Sequence, residues 1–339
     1  EDFWYPRMDI IENGYGAETT IVYERIGADG WEDKYSYRVR REYTGDGIHS
    51  TTSRKEYVYG PAYDPGGLVK GYDHTFISTY DYSGVLLTES RHYYHNVHDT
   101  GGDTLRGREL KSEMVSNGAV MRRVETQWES RSLPANQSVT TFAVVTGVTT
   151  TDEMGRQTKV EYDHDDYGNT LREDHHGFLS VNNDQQTVRH YYFNLNDPGQ
   201  ELWLVGLKWA ENRYDGITTD ESNLKAQKLW YYDDLTYDPT RYGHTEQIDA
   251  GKITMELEGQ YSTGEYVTTT YAYDPEWGNL TDTWDSLGRN THFEYDPLHL
   301  YLVQTRKELN GSNDEHVSTV EYYGVNGIPA DYGLPGQVR

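Results

Sequence analysis

The stretch YDPEWGNLTDTWDSLGRNTHFEYD, from Tyr273 to Asp296, opens and closes on the same Tyr-Asp pair. A chain that returns to one dipeptide across Gly-Asn and Leu-Gly-Arg is built from stacked units, and such self-similarity restricts the fold more than any single residue does. DSLGRNTHFEYD (Asp285 to Asp296) and DEMGRQTKVEYD (Asp152 to Asp163) agree at seven of twelve positions without a gap. Each copy continues alike. Tyr162-Asp163 is followed by Gly168-Asn169, Asp174 and Gly177, and Tyr273-Asp274 by Gly278-Asn279, Asp285 and Gly288. A third copy, GYGAETTIVYE, keeps the seven-residue step from Gly to Tyr: Gly16 to Tyr23, as Gly155 to Tyr162 and Gly288 to Tyr295. Eroded copies lie at YDYSGVLLTES from Tyr80 and around Tyr232 and Tyr237.

The unit has the physics of a hairpin. T-K-V-E-Y and T-H-F-E-Y alternate and favour strands, while Gly-Asn and Leu-Gly-Arg suit tight turns. The repeated Tyr is expected to stack on its counterparts across strands. The Asp after it is expected to accept hydrogen bonds from turn amides. One hairpin is marginal alone, so neighbours must stack. Residues two apart share a face. Lys159, Glu161 and Asp163 therefore oppose Val160 and Tyr162, as His292, Glu294 and Asp296 oppose Phe293 and Tyr295. The expected fold is all-β: antiparallel hairpin repeats in a curved or spiralling sheet, one repeat region over 1–339. Its least regular connections fall near 97–118 and 193–265. NLKAQKL (Asn223 to Leu229) is the one stretch that tempts a helix, and it is assigned to strand.

Composition narrows the function. Tyr contributes 32 residues and Phe only 6, which suits surfaces apolar on the ring and wet at the hydroxyl. Thirty basic against 56 acidic residues give a net charge of −26, which argues against a nucleic-acid partner and against anionic membranes. With no cysteine, disulfides, thiolate zinc sites and a cysteine nucleophile are all excluded. No apolar run reaches the roughly 20 residues needed to span a bilayer, so membrane insertion is not expected. No signal peptide is visible. The ends, EDFWYPRMD and GLPGQVR, read as those of a fragment.

Single features favour structural roles. His92, His95 and His98 recur every third residue, and a strand does not keep that period on one face; with His175 and His176 they read as surface or ladder residues. Acid pairs in DHDD and YYDDLTYD are frequent by chance in an acidic chain and do not define a glycosidase cleft. No cofactor is expected. The one cation the sequence could accommodate is calcium at Asp163 to Asp166, where oxygens cluster without the Glu of an EF-hand loop. Sequons occur at Asn136, Asn279 and Asn310, and the turn role already explains Asn279. No nucleophile elbow, phosphate loop or helical zinc motif is present, so the chain is read as non-enzymatic.

The units resemble the YD repeats of the Rhs family: Tyr-Asp, Gly-Asn with an apolar residue, Asp with Leu-Gly-Arg, and a return to Tyr-Asp. Tyr273-Asp274, Gly278-Asn279-Leu280, Asp285, Leu287-Gly288-Arg289 and Tyr295-Asp296 carry the pattern, as do Gly155-Arg156, Tyr162-Asp163 and Gly168-Asn169. WLVGL, LWYYDD, YDPLHLYLVQT, EYYGVNG and GLPGQV are similar in style to the repeat regions of insecticidal toxin-complex B and C components and related bacterial surface proteins. The resemblance implies a secreted or cell-surface β-ribbon that spirals into a hollow shell, enclosing a toxic domain in toxin complexes and Rhs effectors. The self-cleaving end of the Rhs core, with its paired aspartates, is missing here. Implied partners are flanking repeats or further copies meeting at sheet edges, and an enclosed toxin domain. The competing readings are an adhesion or carbohydrate-binding array, a propeller (suggested by Trp284-Asp285) and a self-assembling filament.

Overall fold

The structure, a computed structural model, describes residues 8–12, 16–26, 36–48, 52–61, 71–96, 104–133, 141–181, 184–193, 195–197, 202–233, 248, 250–260, 264–308 and 315–320. Among these there is no α-helix; the stretch before Leu224 contains a short 3-10 turn, Glu221–Asn223. The chain is all-β. It divides into two compact units, 1–185 and 186–339.

The first unit is an antiparallel meander. Its strands are β1 (Ile10–Glu12), β2 (Glu18–Ile26), β3 (Ser36–Gly45), β4 (Ser53–Tyr59), β5 (His74–Tyr80) and β6 (Leu86–Tyr94). They continue through β7 (Glu109–Ser116), β8 (Ala119–Ser132), β9 (Thr141–Asp152), β10 (Gln157–His164) and β11 (Thr170–Phe178). Each strand pairs with the next in sequence. Successive connections therefore alternate between two rims. One rim receives the longer connections 27–35, 60–73, 95–108 and 133–140, together with the short turn 165–169. The other receives only short ones, including 46–52, 81–85, 117–118 and 153–156.

The second unit repeats the plan with β12 (Gln186–Tyr192), β15 (Lys208–Asp215), β16 (Leu224–Tyr232), β17 (Ile253–Gln260) and β18 (Glu265–Tyr273). The meander runs on through β19 (Leu280–Trp284), β20 (Asn290–Tyr295), β21 (Leu302–Glu308) and β22 (Glu315–Thr319). A separate two-stranded ribbon, β13 (Leu195–Asp197) and β14 (Leu202–Leu204), fills the connection after β12. NLKAQKL lies in β16 apart from its first residue.

The strands end in a recurrent way. The register slips by one residue just before the terminal residue of β5, β6, β10, β12, β16, β18 and β20. Those terminal residues are Tyr80, Tyr94, His164, Tyr192, Tyr232, Tyr273 and Tyr295. A bulge adds local twist and re-aims the side chain after it. This geometry replaces the expected Tyr stacks. Tyr162, Tyr273 and Tyr295 lie opposite Glu173, Leu280 and Leu302, and Tyr23 opposite Val39.

Burial is concentrated in the second unit. Ala210, Leu229, Tyr231 and Leu257 form one buried cluster, with Tyr191, Trp209, Met255 and Tyr266 packed against it. Phe193, Tyr232 and Ile248 form another, flanked by Leu207, Trp209, Trp230 and Ile253.

Candidate functional site

The most regular chemistry of the molecule sits at the turns. Asp285 Oδ1 accepts from the backbone N–H of Leu287 (2.9 Å) and Arg289 (3.0 Å), and its Oδ2 accepts from Arg289 Nε at 2.6 Å. Asp152 makes the same hook with Met154, Arg156 and the Arg156 guanidinium. Both turns close on a glycine at φ +76, Gly288 and Gly155, a conformation that costs glycine nothing. Asp274 accepts from Glu276 N and Trp277 N, with Gly278 after them. Asp296 accepts from Leu298, Leu300 and Tyr301 amides, and there the positive φ falls on His299.

In the Tyr162 copy the hook is displaced by two residues. Asp163 lies in β10 opposite Arg172, and Asp165 accepts from Tyr167 N, Asn169 N and Asn169 Nδ2. His164 fills the strand-end position that Tyr273 and Tyr295 fill elsewhere. The available signal was the spacing. Asp165 stands three residues before Gly168, as Asp152 does before Gly155 and Asp285 before Gly288. The same spacing marks Asp81 and Gly84, where Asp81 accepts from Ser83 N, Ser83 Oγ and Val85 N. Asp233 hooks a longer connection by accepting from Ala250, Gly251 and Lys252 amides.

These hydrogen bonds favour the ionised carboxylates. The Arg289 side chain, then the turn amides, hold Asp285 below the usual carboxylate range. Ser83 does so for Asp81, and the Trp277 amide for Asp274.

The strand-end tyrosines act differently from expectation. Tyr273 donates to Ile253 O (2.8 Å), Tyr232 to Lys208 O (2.6 Å) and Tyr59 to Val39 O (2.7 Å), each a carbonyl of the preceding strand. Tyr23 reaches Met8 O in the same manner. Burial pushes the Tyr232 hydroxyl up to about 12. Neighbouring turns are also tied: Asn279 Nδ2 donates to His299 O (2.7 Å), and the Trp277 and His299 rings stack at 5.3 Å. With its side-chain amide engaged, Asn279 serves the turn.

The histidines pair with carboxylates. His92 meets Glu109 (2.6 Å), His176 meets Glu161 (2.7 Å), His175 meets Glu173 (3.2 Å) and His292 meets Asp282 (2.8 Å). The backbone of His95 bonds that of Gly107 and Arg108. His98, Asn136, Asn310, Asp234 and Tyr237 lie outside the described residues. The most enclosed pair is His190 with Glu211, where Lys208 and Arg213 also contact the carboxylate. Among the described residues no three His, Asp or Glu side chains are grouped to hold a metal ion. In the proposed calcium segment, the Asp165 oxygens are occupied by its own turn.

No protein-family model matches the chain, and no curated protein matches it. Solved structures do. The crystal structure of TcdB2-TccC3-TEV matches with a TM-score of 0.55 and 11% identity over 88% of this chain. That of TcdB2-TccC3-Cdc42 gives 0.56 and 11% over 87%. The pore structure of the Photorhabdus luminescens Tc holotoxin, mutated in TccC3, gives 0.57 and 11% over 88%. The likeness is one of fold, that of the Rhs-type repeat shell of Tc toxin components. This chain spans 23% of the length of each of those chains.

Proposed function

We propose that this chain forms a stretch of wall in an Rhs-type β-shell, a non-enzymatic role, and that the finished shell encloses a toxin or effector domain of the parent polypeptide outside the cell. The observation that carries the reading is the hooked meander. Strand follows strand without a crossover, and each closely matching turn is locked by its own Asp, so the sheet can be extended unit by unit. The fold likeness to Tc toxin structures supports it. In the hooked turns the carboxylates are committed to turn amides and arginines, as structural groups are.

Protease protection of the full parent polypeptide tests the proposal. A shell predicts a discrete segment that resists protease in the native protein and is digested once the shell is opened by denaturant. If every segment outside the repeats is cut at the same rate in native protein, the enclosure reading fails. Binding to cell-surface glycans in that case would favour the adhesion array.

A further inference from the structure

The far half of the β8–β9 hairpin pairs Trp128 to Ser132 with Thr141 to Val145. It runs past the reach of β10, which pairs with β9 only over Gly147 to Thr151. This half is tied to the turn 165–169 by side chains. Arg131 Nη1 donates to His164 O (2.9 Å) and Asp165 O (3.4 Å), and its Nη2 donates to Glu129 (3.0 Å). Phe142 sits against Gly168. The clasp is therefore one guanidinium on two carbonyls and one ring on a glycine.

His164 stands within this clasp. It fills a strand end where β5, β6, β12, β16, β18 and β20 carry tyrosine, and a phenol stays neutral at physiological pH where an imidazole titrates. The Nδ1 of His164 is buried and has no hydrogen-bond partner among the described residues. In a neutral ring that orphan can be a lone pair. In the imidazolium both nitrogens carry a proton, so a buried N–H on a charged ring is left without an acceptor. The surrounding charges do not offset that cost. β8 supplies Arg131 and Glu129, which are bonded to each other, and in β10 Asp163 lies opposite Arg172. In the turn, Asp165 is committed to the Tyr167 and Asn169 amides, and Asp166 is exposed. β11 places Thr170 opposite His164, and burial pushes the Tyr162 hydroxyl up, so that it stays neutral. Burial first, and Arg131 second, hold the imidazole below the ordinary histidine value of about 6.5, against the pull of Asp165, Asp163 and Glu129. A histidine depressed in this way leaves the fold at full stability above the unfolded value. It costs stability as pH falls from there through the folded value.

We propose that His164 makes the clasp acid-sensitive. When its ring takes up a proton, the new charge faces Arg131, the guanidinium leaves the carbonyls of His164 and Asp165, and the far half of the hairpin is released from the turn. With the ring neutral, the clasp stays shut. The device belongs to the first unit alone and does not depend on what a shell encloses.

Amide exchange, corrected for the intrinsic effect of pH, follows the clasp between about pH 7 and about pH 5. The turn 165–169 and the far half of the hairpin should lose protection together. The turn 81–85, hooked in the same way by Asp81 and free of histidine, should keep its own. His164→Gln and His164→Tyr should each abolish the loss, and the glutamine variant decides the matter if tyrosine disturbs the packing. No loss in the wild type, a loss shared equally by the turn 81–85, or a loss unchanged in the variants overturns the proposal. A histidine NMR titration reads the ring directly. His164 should titrate below about 6.5, and Arg131→Gln should raise its midpoint. A wild-type midpoint at or above that value, or one indifferent to Arg131→Gln, overturns the proposal.

Discussion

Strands β9 to β11, which carry a close copy of the motif, and strands β15 to β17, which barely show it, are held together by different forces. In β15 to β17 the side chains of Ala210, Leu229, Tyr231 and Leu257 are buried in one cluster. In β9 to β11 the buried hydrophobic residue is Val144, and most other strand residues are half-exposed. What β9 to β11 have instead are the Asp152 and Asp165 hooks and their glycines. The motif thus encodes turns, which set register and repeat without a partner layer. Where the motif erodes, the positions it releases are used for burial.

The sharpest way to break this comparison is to cut into the core. Leu229 is 1% exposed, and Leu229→Ala should destabilise the second unit by about 2–5 kcal/mol, combining lost transfer energy with a cavity. Val160→Ala in the half-buried β10 should cost only about 1 kcal/mol. Urea unfolding of both variants decides the matter. Equal shifts would mean that the motif strands are as dependent on burial as the core strands.

Glycine separates the regions next. In β17, a Cβ on Gly259 would lie 2.0 Å from Glu265 O and 2.9 Å from Tyr266 Cα, both backbone atoms of the facing strand. Gly259→Ala should therefore cost about 2–3 kcal/mol through forced backbone movement. Gly288 meets nothing within 4 Å and is constrained only by its φ of +76, so Gly288→Ala should cost about 1 kcal/mol. Gly168 lies between them, because a Cβ there would also meet the Phe142 ring at 2.8 Å. Thermal midpoints should fall in that order.

These contrasts show what could be read from the sequence. The strands and their antiparallel plan were legible because alternation and turn glycines are local signals. The hook at Asp285 also has a local signal, since Asp, Gly and Arg recur there at fixed steps. The cross-strand Tyr stacks were not, because they assumed regular pairing. A bulge shifts the register just before many strand-end residues, Tyr232 and Tyr273 donate instead to carbonyls of the preceding strand, and no local pattern announces a bulge. The Asp163 assignment slipped for a related reason. Identity with Asp296 outweighed the Asp-to-Gly step that points to Asp165. The core around Leu229 was hidden because it lies where the repeat gives no frame, within 193–265.

The tyrosine hydroxyls probe the same boundary more gently. Tyr232→Phe and Tyr273→Phe each remove one hydrogen bond to a carbonyl of the preceding strand. A loss of about 0.5–1.5 kcal/mol is expected for each. The larger loss should fall at Tyr232, which is buried in the second cluster. A silent Tyr232→Phe would mean that the ring alone holds that strand end.

The smallest effect concerns protons and distinguishes the two regions by pH. Asp285 is held below the usual carboxylate range by Arg289 and by turn amides. Glu211 is pulled down further, by His190 first and then by Lys208 and Arg213, against the opposing effect of its burial. A carboxyl whose folded value is depressed stabilises the fold at pH above its unfolded value, about 4. That contribution is lost as pH falls through the folded value. Asp285→Asn keeps acceptors for the Leu287 and Arg289 amides but gives up the ion pair, so its deficit in melting temperature should be small. The deficit should be flat between pH 5 and 7, roughly, and shrink below about pH 4, where the carboxyl of the unfolded wild-type chain takes up its proton while the folded one is still ionised. Glu211→Gln should show a larger deficit that persists to lower pH, because the cluster holds its proton off longer. Melting curves of both variants and the wild type across that range settle the point. If the two deficits vanish at the same pH, the enclosed His190–Glu211 pair between β12 and β15 is no stronger than an exposed turn hook, and the division between turn-held and core-held strands does not extend to electrostatics.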